Sequence, residues 1–160
     1  MAAGAAGATV ARFADDRGAP GGARLAVLVR HMPAVNSDHV PITAIMTRAA
    51  VTARGEASIA SLIALMTEHH IGCVPIVDDQ DRPTGIVTKL DLLECQNDGR
   101  LTAREVMMPN AITLPAEASV ARAAVLMSTE GIHHVLVVNP SRALLGVVST
   151  LDVTRWLAQQ

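Results

Sequence analysis

The sequence predicts an α/β (α+β) fold made of two β-α-β-β-α repeats. Three observations carry that expectation. From about Pro41 onward the chain repeats itself at a constant offset of 61 residues, as between Met46 and Met107, Glu56 and Glu117, Gly85 and Gly146, or Asp91 and Asp152, and a fixed-period repeat sets the architecture before any local reading does. Within each unit a helical period gives way to short β-branched runs. Half of the chain is apolar, yet it holds one Phe, one Trp and no Tyr. The core is therefore aliphatic, and the apolar faces of helices and strands have to cover one another.

Each element is legible in both units. EASIASLIALM aligns with EASVARAAVLM, IGCVPIV with IHHVLVV, and GIVTKLD with GVVSTLD. Ser58 is a predicted N-cap, followed at helical spacing by Ile59, Leu62, Ile63 and Met66; Ser119 repeats it with Val120, Ala123, Ala124 and Met127. Strands follow over Val74 to Val77 and Val135 to Val138. The turns DDQDRP and NPSRA come next, then second strands through Gly85 to Val87 and Gly146 to Val148, and second helices from Thr88 and Ser149. A short opening strand is expected near Val51 and near Ile112. Met46, Met66, Met107, Met108 and Met127 read as packing residues, and Trp156 as a partial core or interface anchor.

Composition narrows the function. The formal charge is −2 with no basic block, and clustered aromatics are lacking, which argues against nucleic-acid binding. No apolar run approaches the roughly 18 residues of a membrane span. Cys73 and Cys95 form no metal-spaced or redox-spaced motif, as free thiols in a reducing compartment would. Residues 1–37 are Ala- and Gly-rich and read as a disordered tail, with Leu25 to Met32 as a short strand or helical turn and Met32 as an alternative start. The N-terminus resembles no signal or transit peptide, so a cytoplasmic location is expected. The repeats are placed at 38–98 and 99–160.

The element that points to chemistry is G-x-x-[ST]-x-x-D, present as Gly85, Thr88, Asp91 and as Gly146, Ser149, Asp152. A hydroxyl residue followed three places later by an acid is a helix capping box and needs no ligand. Capping does not account for the glycine, nor for Asp where Glu reaches back better. The alternative is a nucleoside phosphate: a helix N-terminus and a hydroxyl suit phosphate, and an aspartate suits ribose hydroxyls.

These segments, with the IMT and VMM openings and the CVPIVDD and HVLVVN runs, resemble the CBS domain pair, named for the regulatory region of cystathionine β-synthase. The resemblance covers about residues 41 to 157. It implies two repeats packed with pseudo-twofold symmetry around two clefts that take AMP, ADP, ATP or S-adenosylmethionine. Carried over residue by residue, it assigns Ser149 to phosphate and Asp152 to ribose in one cleft, with His133 and His134 as basic phosphate contacts and Val51 and Thr52 at the adenine. The other cleft receives Thr88, Asp91, Ile112 and Thr113, with Lys89 as its cation. Gly72 and Cys73 stand where the second repeat has His133 and His134, so unequal clefts are expected, the His133 cleft binding phosphorylated ligands more tightly. A metal at His133-His134 is disfavoured because adjacent strand residues point to opposite faces.

The expected function is a regulatory module that binds an adenine nucleotide as its ligand, with no cofactor and no catalysis, and signals to an unknown regulated protein. A homodimer is expected, with the Ala-rich stretch Ala121 to Val125 allowing close helix approach. The alternative is a ligand-free dimeric interaction scaffold whose motifs serve only as caps.

Overall fold

The computed structural model describes residues 39–95 and 100–160. The N-terminal tail, the Leu25 to Met32 element and the question of the Met32 start lie outside the described residues. The elements are β1 (Thr47–Arg48), α1 (Ile59–Glu68), β2 (Cys73–Val77), β3 (Pro83–Thr88), α2 (Lys89–Glu94), α3 (Ala103–Val106), β4 (Met108–Pro109), β5 (Thr113–Pro115), α4 (Val120–Glu130), β6 (His134–Val138), β7 (Leu144–Ser149) and α5 (Thr150–Leu157), with a 3-10 turn over Ile42–Ala44 before β1. Among the described residues no helix is long and apolar enough to cross a membrane.

The helices start where the capping residues place them. Ser58 Oγ accepts from the Ser61 amide at 3.2 Å, and Ser119 Oγ from the Arg122 amide at 3.1 Å, so one orphan donor is satisfied at each helix start. Ile59, Leu62 and Met66 on α1, and Val120, Ala123 and Met127 on α4, turn inward. Ile63, expected on the buried face, is 37% exposed, because it lies beyond the edge of that apolar stripe. Met66 and Met127 are core, and Met46 and Met107 pack against it. Met108 is the exception among the methionines: it is 60% exposed.

Two sheets form, in the orders β2-β3-β4 and β1-β7-β6-β5. The expected strand near Ile112 is β5, parallel to β6. Its counterpart near Val51 is reduced to one parallel bridge, Ala53 with Ile76. Each repeat lends its opening to the other. β1, from the first, pairs with β7, and β4, from the second, pairs with β3. The same exchange recurs one level out, where the Ile42 amide donates to the Ala118 carbonyl and the Ala103 amide to the Ala57 carbonyl. Ile42 thus sits in the core of the second lobe and Ala103 in that of the first. Cys73, Ile86, Leu136 and Val147 join the two sheets face to face.

The repeat also persists in the backbone. Left-handed φ values occur in three matched pairs, each one repeat apart: Ala49 and Asn110, His70 and Gly131, Asp81 and Arg142. Side chains in this region are disfavoured unless turns enforce it, so equal backbone paths rather than equal residues define the two units.

Candidate ligand cleft

Both G-x-x-[ST]-x-x-D segments close into capping boxes. Asp91 Oδ2 accepts from the Thr88 amide at 2.6 Å and from its hydroxyl at 2.7 Å, while the Asp91 amide donates to Thr88 Oγ1 at 3.4 Å. Ser149 and Asp152 repeat this at 2.8, 2.6 and 3.2 Å. The short Asp therefore reaches the N-cap amide, although Glu was expected to reach back better. The next amide is occupied too: Lys89 N–H donates to the Gly72 carbonyl at 3.1 Å, and Thr150 N–H to the His133 carbonyl at 3.0 Å. These helix starts offer fewer free donors to a phosphate than the motif alone suggested.

The glycines of the motif have a packing cause. A Cβ on Gly85 would stand 2.8 Å from the Met108 carbonyl oxygen and 2.5 Å from Met107 Sδ, and one on Gly146 would collide with the Thr47 carbonyl oxygen. The exchanged strands β4 and β1 pass over these two positions, and only glycine admits so close a backbone.

A cleft of about 480 Å³ opens beside the first motif. Thr88, Lys89 and Asp91 form one side, and Met108 to Ile112 another. Ile132, His133 and His134, the segment leading into β6, complete it. Ile86, Leu90, Met108, Ile112, Ile132 and Leu136 make most of its wall apolar, so it suits a flat, apolar-faced group held by a few polar side chains.

Of the residues assigned to this cleft from sequence, Thr88, Lys89, Asp91 and Ile112 line it; Thr113 lies in β5, paired with Leu136 in the ladder. His133 and His134, assigned to the Asp152 cleft, line this one; His133 also borders a recess beside α5 with Thr150 and Val153, and Asp152 still acts on the His134 imidazole. His134 is opposite Ser149 in the β6–β7 register, but its ring crosses between the sheets, with Nε2 3.5 Å from where a Gly72 Cβ would stand. The strand begins at His134, so His133 precedes it and both histidines line one cleft, against the expectation of opposite faces.

Asp152 borders a recess of about 200 Å³ with Ala44, Ile45, Arg155 and Trp156. Ser149, Val51 and Thr52 do not line the Asp91 cleft; Val51 is half-buried and Thr52 exposed, just ahead of the Ala53 bridge. Sequence reasoning missed Leu90, Met108 and Asn110 on the cleft wall. Asn110 carried a usable signal, since Asn tolerates the left-handed backbone it adopts (φ 55°).

Burial pushes the His134 imidazole below its ordinary value; neighbouring His133 pushes the same way and Asp152 opposes. Burial, reinforced by Asp152, pushes the Cys73 thiol up to about 12, so it stays protonated at neutral pH. Cys73 and Cys95 are both free thiols.

This duplicated lobe with exchanged openings and a cleft at the seam defines a two-repeat α/β fold. The CBS domain profile matches residues 42–98 and 103–159, and the chain belongs to the CBS domain family. It is 31% identical over 111 residues to L-aspartate semialdehyde sulfurtransferase of Methanocaldococcus jannaschii, covering 69% of this chain but only 22% of that protein. The chain thus spans about a fifth of that relative. Among solved structures it resembles the CBS domain pair of protein MJ0100 in complex with 5′-methylthioadenosine and S-adenosyl-L-methionine, with a TM-score of 0.71 and 28% identity over 75% of this chain and 97% of that one. It also resembles the CBS domain of a CBS domain-containing membrane protein from Sphaerobacter thermophilus, with a TM-score of 0.66 and 28% identity over 74% and 88%.

Proposed function

We propose that this chain is a regulatory CBS pair that binds an adenosine-containing ligand in the Asp91 cleft and passes the bound state to a partner protein. The observation that carries the reading is the meeting, at one apolar cleft, of Asp91, Thr88 and Lys89 from the first repeat with His133 and His134 from the second. Asp91 uses Oδ2 for its cap, and its Oδ1 is the acceptor for ribose hydroxyls. Ile86, Ile112 and Leu136 sandwich the base. Lys89 and the histidines answer a phosphate. The MJ0100 complex with two adenosine derivatives supports this ligand class. The module acts by binding rather than by catalysis, in an aqueous, cytoplasmic setting. Thr52 and Val51, with Ser149 and Asp152, would serve the second, pseudo-symmetric cleft.

The same reading includes a homodimer. Of the stretch Ala121 to Val125, Ala123 is fully buried in the core while Val125 is 65% exposed, so the run wraps α4 and does not form one face. The outward apolar residues that a second copy would cover are Val125 and Leu151 in one repeat and Leu90 and Leu93 in the other.

A second reading is favoured by one observation: both motifs are satisfied as capping boxes without a ligand. On that reading the protein is a ligand-free scaffold. Thermal-shift measurement with AMP, ADP, ATP, S-adenosylmethionine and 5′-methylthioadenosine separates the two. A rise in melting temperature for at least one, lost in Asp91→Ala and retained in Leu93→Ala, is expected. No rise with any of them leaves the scaffold.

A further inference from the structure

We propose that His134 makes the Asp91 cleft select phosphorylated over uncharged adenosine ligands by accepting a proton as the phosphate binds. The inference rests on the ligand reading above and gives that site its ligand charge class and its regulation.

The geometry is specific to this chain. Gly72 and His133, and Cys73 and His134, are equivalent positions of the two repeats. Only the second repeat carries imidazoles there, and the His134 ring faces Gly72 across the seam, its Nε2 3.5 Å from where a Gly72 Cβ would stand. His134 is therefore half-buried at the seam, on the cleft wall, with its neighbours contributed by both repeats.

The charged groups around it decide when it ionises. From its own chain direction comes exposed His133; from the α5 start comes Asp152, the one carboxylate that favours its cation. Lys89 and Asp91, a cation and a carboxylate on the α2 side, line the same cleft. From β2 comes Cys73, a neutral thiol at physiological pH. With the cleft free of anions, burial keeps the imidazole neutral. A phosphate entering between Lys89 and His134 supplies the missing opposite charge, and the imidazole takes up a proton to become a donor on both nitrogens. An uncharged nucleoside supplies no such charge and leaves the ring as it is. Binding of a phosphorylated ligand and proton uptake are then linked, and acidification favours the phosphorylated form.

The test is titration calorimetry of the full chain with AMP and with adenosine, at about pH 7.5 and about pH 5.5, in buffers of different ionisation enthalpy. Wild-type protein should bind AMP roughly tenfold more tightly at the lower pH, with net proton uptake, and adenosine nearly equally at both. His134→Gln should lose the tightening for AMP, its fold being checked separately by its circular dichroism spectrum and thermal melt. Protonation of free AMP is common to both proteins, so the difference between their pH responses reports the effect of His134. The same pH response in wild type and variant overturns the inference and leaves the ligand reading standing. Failure of the wild type to bind either ligand overturns both. Should the variant not fold, NMR titration of the His134 ring in wild-type protein decides: its midpoint should rise with AMP and not with adenosine, and a midpoint unmoved by AMP overturns the inference.

Discussion

Gly85 lies beneath Met108, so close that a Cβ on the glycine would stand 2.8 Å from the Met108 carbonyl oxygen. The contact joins the first repeat's central strand to the second repeat's opening, through the register Gly85 with Pro109 and Ile86 with Met108. Gly85→Ala must push β4 off the sheet, and the expected loss is about 1–3 kcal/mol. Gly146→Ala should behave alike, beneath Thr47. Gly131→Ala meets no atom but holds φ at +66°, and should cost about 1 kcal/mol from backbone strain. Gly72→Ala, facing His134 at an ordinary 3.5 Å, should be nearly neutral. Urea unfolding of the four variants checks the order.

The capping boxes predict a separation between stability and binding. Thr88→Ala and Ser149→Ala should each destabilise by about 1 kcal/mol, the usual loss for an N-cap. Because α2 and α5 are equivalent in the backbone, the two losses should match. Ligand affinity should fall only for the Thr88 variant if the Asp91 cleft is the principal site. Chemical denaturation beside calorimetry resolves the two effects.

The protein should lose stability as pH falls below the ordinary histidine value of 6.5. His134 is depressed in the folded state, so between its lowered value and 6.5 the unfolded chain binds more protons than the folded one. Stability therefore rises with pH through that window and falls as it is acidified. His134→Gln should flatten this segment of the curve. Asp78, Glu56 and Glu105 act in a separate, more acidic range. Arg82, Arg104 and the Thr102 amide, respectively, hold them below the ordinary carboxylate value, so their contribution is present above that value and is lost as pH falls through the lowered ones. Thermal melts from mildly to strongly acidic pH would show two steps in wild type and one in the variant.

The two thiols should react at different rates. Cys73 is buried in the layer between the sheets, with its thiol pushed up to about 12. Cys95, at the end of α2, is half-buried. Ellman's reagent at neutral pH should modify Cys95 readily and Cys73 only as fast as the lobes open. Mass spectrometry of the labelled peptides identifies the order, and equal labelling would show that the central layer is permeable.

Most of the fold was legible in the sequence because its signals are local or periodic. The Ser58 and Ser119 caps, the helical stripes, the β-branched runs and the 61-residue offset each require only neighbouring residues or a comparison of the chain with itself. The capping geometry of Thr88 with Asp91 was legible for the same reason. What the tertiary structure decided is which pieces of different repeats meet. The glycines of the motif were read as a ligand feature, but the exchanged openings that cross them are a non-local pairing. His133 and His134 were grouped with Ser149 and Asp152 through the family resemblance, and only His134 with Ser149 is a pair in the β6–β7 register. The packing of the two lobes brings both histidines to one cleft with Asp91, beside Gly72, a residue far away in sequence. A side chain's face in a strand follows from alternation, whereas the cleft it lines depends on which elements pack against that face, and that information exists only once the two lobes are packed together.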